Sequence, residues 1–320
     1  NKEKRYKSIG AFNSKNSPYF SWYKFNLWPD KYTSWWGFNT LPEVNEMDHN
    51  YIEYITGENG IIQKWLNLGA SGWRLDVADE LPDEFIKKLK KSAKKAKKDS
   101  IIIGEVWEDA SSKISYYKRR KYLLGDSLDS VMNYPFRDAI INFIKEGDSE
   151  NFLDIVLSII ENYPKPVLNS LMNILGTHDT PRILTEISGE NISDKDIQAK
   201  SFLPKEKKEK AIKLLKIATA IQYTLPGVPC IYYADETAME GYRDPFCRKT
   251  FPWSNINNDL LEFYKNMGNF RKNCTALKDG EFKIINFQQH FVAYSRENKE
   301  SLILCLFNTG KTSITINMPD

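Results

Sequence analysis

Gly72-Trp73-Arg74-Leu75-Asp76-Val77 is a short apolar run that closes on an acid, and Ile101-Ile102-Ile103-Gly104-Glu105 repeats the design with its acid 29 residues further on. Between the two, after Leu81-Pro82, the apolar positions Phe85, Ile86, Leu89, Ala93 and Ala96 fall on one face at helical spacing. Strand, helix and strand in that order predict a unit with two parallel strands. The alternation continues outward. Ser130-Val131-Met132-Asn133 is a weaker strand, and Leu171-Met172-Asn173-Ile174-Leu175 is a stronger one that runs into Gly176-Thr177-His178-Asp179. A helix over 208–225, apolar at Ala211, Ile212, Leu215, Ala218 and Ile221, is stopped by Pro226-Gly227. A fifth strand, Cys230-Ile231-Tyr232-Tyr233, ends at Ala234-Asp235-Glu236. Three of the five strands thus end in a carboxylate or just before one. The C-terminal rim of the strands is where (β/α)8 barrels carry their active sites. The reading is an α/β chain of TIM-barrel type with acids converging on one rim.

The flanks read differently. Residues 1–71 lack the alternation and are rich in aromatics, among them Tyr19, Phe20, Trp22, Tyr23, Trp28, Trp35, Trp36 and Phe38. Period-2 runs return near the end, at Phe282–Ile285, Phe291–Tyr294, Leu302–Leu306 and Ile314–Ile316. Three segments follow: an irregular lobe over 1–60, barrel over 61–280, and an antiparallel β domain beginning over 281–320.

Composition narrows the class. The 320 residues are 41% hydrophobic and 27% charged, with a net charge of +3 and a mean hydropathy of −0.52, which fits a globular protein with an ordinary core. The balance is too even for a dedicated nucleic-acid binder, and no apolar run approaches the roughly 20 residues of a membrane span. Neither nucleic acid nor membrane is therefore expected as a partner. Eight lysines crowd residues 87–98, but they surround the apolar stripe and read as the solvated face of an outer helix. The first five residues, from Asn1 to Arg5, are polar and lead into no apolar signal region, which with Cys230, Cys247, Cys274 and Cys305 spaced too widely for zinc or a disulfide framework points to free thiols and a cytoplasmic setting. Three histidines, His49, His178 and His290, make no metal centre.

Asp76 and Glu105 close what the pattern makes neighbouring strands, and adjacent strands lie about 4.8 Å apart. Two carboxyl groups about 5–5.5 Å apart are the arrangement of a retaining glycosidase, one acting as nucleophile and the other as acid and base. Arg74 shares the strand face of Asp76 and is expected to keep it ionised. Glu105 must carry a proton when the leaving sugar departs.

Gly-Trp-Arg-Leu-Asp-Val (72–77), Gly-Glu-Val-Trp (104–107) and Gly-Thr-His-Asp (176–179) resemble, in order and spacing, three signatures of the α-amylase family of glycoside hydrolases. Leu41-Pro42-Glu43-Val44-Asn45, Val131-Met132-Asn133-Tyr134-Pro135, and Tyr232–Glu236 with Asp244, Pro245 and Arg248 extend the likeness toward the neopullulanase, cyclomaltodextrinase and maltogenic amylase branch. The resemblance implies Asp76 as nucleophile, Glu105 as general acid/base and Asp179 as the third acid, with His178 beside it. It places Asp244 and Arg248 on the glycone side of the cleaved bond, and Trp107 and Tyr134 on the acceptor side. The implied activity is double-displacement cleavage of α-1,4 bonds, with α-1,6 bonds as a further option, in maltooligosaccharides, cyclodextrins or pullulan. An oligo-α-1,6-glucosidase, a transglycosylase and a non-catalytic carbohydrate-binding relative stand as alternatives.

The family barrel has eight strands, and the five here correspond to strands four to eight. Strands one to three, with the Asp-x-x-x-Asn-His signature of the third, are absent, so the chain is expected to be a C-terminal piece of a longer protein, with the lobe inserted after strand three. No cofactor is required by the chemistry. Structural Ca²⁺ is within the family's range, though the sequence assigns it no ligands, and a homodimer is left open.

Overall fold

The Gly72–Leu75 and Ile101–Gly104 strands pair in parallel, with Gly72 opposite Ile101 and Leu75 opposite Gly104. The structure, a computed structural model, describes residues 8–316; the polar stretch Asn1–Arg5 and the end of the tail at Asp320 lie outside them. Two units divide the chain, one running up to Glu105 and including Ile114–Leu128, the other taking Val106–Lys113 and the residues from Asp129.

In the first unit, a Cβ on Gly72 would lie 2.1 Å from the Ile101 carbonyl oxygen, so only glycine lets the two strands approach there. The helix Asp83–Ala96 connects them and buries Phe85, Ile86, Leu89 and Ala93. Its lysines divide by face. Lys88, Lys91, Lys95 and Lys98 are exposed, while Lys87 pairs with Asp126 at 3.0 Å and Lys90 and Lys97 reach the carbonyls of Leu128 and Ala70 at 3.3 and 3.2 Å. The second set is half-buried, as expected where a long stem is covered and its charged end reaches a carboxylate or carbonyl.

The region before Gly72 holds more regular structure than the sequence shows. A short hairpin joins Phe25–Leu27 to Lys31–Tyr32, and helices run over His49–Thr56 and Ile61–Asn67. Asp48 caps the first by accepting from the Asn50 and Tyr51 amides, both at 3.0 Å. Ser92 ties both to the connecting helix, donating to Thr56 O at 2.6 Å and accepting from Gln63 at 3.1 Å. Helices of eight and seven residues show too few turns for a periodicity to register.

In the second unit, Ser130–Asn133, Met172–Ile174 and Val228–Cys230 form parallel ladders in chain order. Tyr134–Glu146, Ser149–Asn162 and Lys205–Thr224 are the long helices among their connections. Buried amides bind the strands: Asn133 donates to Asn173, and Asn173 to Pro226 O, each at 2.8 Å. The last parallel strand begins two residues earlier than the expected Cys230 and ends there. Its ladder partner stops at Ile174, and Ile231–Tyr233 join no ladder among the described residues and run instead into the 3-10 turn Asp235–Thr237. Pro229, which gives no amide hydrogen, is tolerated because this strand has one ladder neighbour among the described residues.

The tail forms a three-stranded antiparallel sheet of Glu281–Gln288, Phe291–Glu297 and Leu302–Asn308. Ile314–Ile316, expected as a fourth strand, is not one; the run is three residues long and joins no ladder among the described residues. The fully buried Arg296 fastens the sheet to the unit, donating to Thr224 O at 2.6 Å and Gly280 O at 3.0 Å.

Candidate active site

The first unit carries Arg74, Asp76 and Glu105. The ladder continues one step past the paired strands: the Glu105 amide donates to Leu75 O at 2.9 Å, and the Ala78 amide to Glu105 O at 3.2 Å. That step sets the two acids side by side at the ends of their strands. One guanidinium serves both, with Arg74 Nη1 bonded to Asp76 Oδ1 and Nη2 3.0 Å from Glu105 Oε2. The planar fork of arginine suits two carboxylates where a lysine could meet only one squarely. The environments of the acids differ: Asp76 is 71% exposed and Glu105 only 6%.

Val77 follows Asp76 in the left-handed region, at φ 44° and ψ 55°. A β-branched residue is rarely found there, because its side chain crowds the backbone. The turn lets the Val77 amide donate to Glu105 Oε2 at 2.8 Å and sends the chain into the 3-10 turn Ala78–Glu80.

A residue that sequence reasoning missed holds this turn. Arg120, 7% exposed, donates to Asp79 O at 2.7 Å, to Leu81 O at 2.6 Å and to Asp83 Oδ1 at 2.8 Å. Tyr122 adds a bond from its hydroxyl to Asp79 Oδ1 at 2.6 Å. Nothing in Arg119-Arg120 itself points to a turn 41 residues earlier.

The second unit carries the other six residues. Both oxygens of Asp179 are engaged, Oδ2 by His178 Nε2 at 3.0 Å and Oδ1 by Arg248 Nη2 at 3.2 Å. Arg248 also pairs with Asp244 at 2.7 Å through Nε, which lies 3.0 Å from the His178 carbonyl oxygen. His178, Asp179, Asp244 and Arg248 are therefore one polar cluster, each side chain a third or more exposed. Trp107 and Tyr134 stack with ring centroids 4.0 Å apart at 13°. Only Trp107 presents an open face, being 45% exposed while Tyr134 is fully buried beneath it.

Asp235, read from the sequence as a strand-end acid, has a buried partner that sequence reasoning missed, Arg182. Asp235 is 3% exposed and Arg182 not at all; they meet at 3.2 Å, and the Arg182 guanidinium lies over the rings of Tyr232 and Tyr233 at 4.1 and 4.4 Å. A Cβ on Gly176 would lie 2.6 Å from Asp235 Oδ2, so this carboxylate sits directly against the backbone that leads to Asp179. Burial pushes the Asp235 carboxyl up to about 7, and Arg182 pulls it partly back.

Among the described residues no group of three or more His, Cys, Asp or Glu side chains could hold a metal ion. No helix among them is long and apolar enough to cross a membrane.

Comparison with known proteins places these residues in context. A family profile described as "Alpha amylase, catalytic domain" matches residues 10–278. An amylopullulanase of Thermoanaerobacter thermohydrosulfuricus is 37% identical over 319 residues, which cover 90% of this chain and 20% of the relative. A cyclomaltodextrinase of a Bacillus species is 32% identical, over 86% of this chain and 43% of its own. Among solved structures, a debranching enzyme from Nostoc punctiforme superposes with a TM-score of 0.80 at 26% identity, over 96% of this chain and 62% of that one. The chain thus spans between a fifth and about three fifths of these relatives.

Proposed function

The chain belongs to the α-amylase family of glycoside hydrolases, and on that premise we propose that it acts in the retaining cleavage of α-glucans, with α-1,4 bonds in maltooligosaccharides, cyclodextrins or pullulan as substrates. In the family's strand order the five parallel strands are assigned as four to eight. Asp76 is the nucleophile: its carboxylate attacks the anomeric carbon as the bond to the leaving oxygen breaks. Glu105 gives that oxygen a proton, then takes one from the water that releases the sugar from Asp76. Because Glu105 Oε2 already accepts from the Val77 amide and lies 3.0 Å from Arg74 Nη2, the transferred proton is assigned to Oε1. Asp179 is the third acid, binding sugar hydroxyls, with His178 and Arg248 fixing its two oxygens. Asp244 and Arg248 hold the glycone side. On the acceptor side Trp107 offers its open face, and Tyr134 acts through it.

The observation that carries this reading is the single arginine shared by two strand-end carboxylates in different degrees of burial. Reducing-sugar release from β-cyclodextrin, pullulan and starch tests it. Glu105→Gln is expected to lose about 10²–10⁴ in rate, as removal of a general acid does, and Asp76→Asn at least as much. Retention of native rates by either variant would overturn the assignment. Cleavage of α-1,6 bonds is a second reading, favoured by the names amylopullulanase and debranching enzyme among the similar proteins. Panose, with one bond of each kind, separates the two by its products.

A further inference from the structure

Beyond Arg248 the chain walls a cleft of about 830 Å³ within the second unit, and the chemistry above leaves it unused. Trp253, 82% exposed, and Phe202, 73% exposed, stand at it as large apolar faces open to water. Each has a neighbour at the cleft. Phe251 packs on Trp253 with ring centroids 4.5 Å apart, and Lys249 Nζ lies 5.1 Å from the centre of the Phe202 ring. The backbone that carries Trp253 is fixed by the Trp253 amide on Phe251 O, the Asn255 amide on Pro252 O, and the Tyr233 hydroxyl on Lys249 O. A wall already ordered loses little freedom when a ligand arrives.

The polar side of the cleft is built as firmly. Glu240, 8% exposed, pairs with Lys208 through one oxygen and accepts from the Leu203 amide at 2.6 Å through the other. A carboxylate has about four acceptor positions, so Glu240 keeps lone pairs for a further donor. An apolar peptide or lipid laid here would strip water from this ion pair and return no hydrogen bond. An anion would meet a fixed carboxylate. A sugar satisfies both sides, since its ring has an apolar C–H face and an edge of hydroxyl donors and acceptors.

We propose that this cleft is an auxiliary glucan-binding site, separate from the reacting residues, in which Trp253 and Phe202 stack on sugar rings while Glu240 and Lys208 take their hydroxyls. That the sugar is α-linked rests on the function proposed above. Arg248 and Trp253 are five residues apart, at most about 18 Å of chain, so one long glucan can engage both.

Electrophoresis of the full chain through gels with and without soluble starch reads the site independently of catalysis. The native chain is expected to be retarded by starch and not by a β-linked glucan. Trp253→Ala and Phe202→Ala are each expected to weaken that retardation roughly three- to tenfold, the worth of one aromatic contact, and to leave hydrolysis of a chromogenic maltoside unchanged. Trp253→Tyr, which keeps a stacking face, is expected to remain retarded, and this separates loss of the site from loss of the fold. Equal mobility of the native chain in both gels overturns the proposal, as does full retardation of Trp253→Ala or equal retardation by the β-linked glucan. Asp76→Asn should abolish hydrolysis and keep the starch retardation. Were it to keep hydrolysis, the catalytic assignment would fail while the cleft's own test stood.

Discussion

Arg74 does with one planar group what two separate cations would otherwise do, and its geometry explains why the residue type matters. Lysine at this position keeps the charge and loses the fork that meets Asp76 and Glu105 together. Arg74→Lys is expected to lower kcat about tenfold to a hundredfold, the scale of a small misplacement of reacting groups, with KM changed much less; equal loss in both would mean that Arg74 binds sugar directly. Asp235 makes a different residue-scale case. Its carboxyl is pushed up to about 7 in the folded chain, whereas in the unfolded chain it titrates near about 3.9. The folded state therefore holds this proton more tightly. The stability it contributes is full below about pH 4 and is lost as pH rises toward about 7. Asp235→Asn lacks that titration, so its melting temperature should rise relative to the native chain between those two pH values. A difference that stays constant across the window would show that Asp235 does not titrate there. Removing its partner is harsher: Arg182→Ala strands a buried carboxyl and is expected to cost about 3–5 kcal/mol in denaturant midpoint measurements.

At the scale of elements, strand register decides which side chains meet. Gly72 sits opposite Ile101 at a separation that no Cβ permits, and every later pair in that ladder, up to the acids, depends on it. Gly72→Ala is expected to cost about 1–3 kcal/mol by overpacking and to reduce activity along with stability, since the shift reaches Asp76. A variant with native activity and a lowered denaturation midpoint would show that the acids are positioned from the turn instead, by Val77 and Arg120. The apolar runs made the parallel strands readable because each is a local pattern of four or five residues, three of the five ending in an acid or just before one. The helices before Gly72 were not readable, being short and joined through Gly57 and Gly60. The fifth parallel strand shifted because pairing, and not residue preference, ends a strand: Tyr232 and Tyr233 favour strand but join no ladder among the described residues.

For the molecule as a whole, the four thiols report on the integrity of the fold. Cys247, Cys274 and Cys305 are buried, and Cys230 is half-buried. Burial also pushes the thiols of Cys230, Cys247 and Cys305 upward, which lowers the reactive thiolate fraction. At about pH 8 a thiol reagent is expected to label Cys230 slowly and the others hardly at all, and to label all four in denaturant. Rapid labelling of two or more without denaturant would mean that the second unit opens in solution.

The sequence by itself determined the α/β pattern, the placing of Asp76 and Glu105 at strand ends, and the family signatures, because each depends on residues close together in the chain. Tertiary structure alone decided what those residues touch. Arg182 meets Asp235 across 53 residues, and Arg120 grips a turn 41 residues before it. Tyr134, read as a sugar contact, is buried under Trp107, so which of two neighbouring aromatics faces outward is settled by packing. Local pattern sets the type of element and the chemistry it carries; burial and long-range pairing depend on the whole chain coming together, and no short stretch records them.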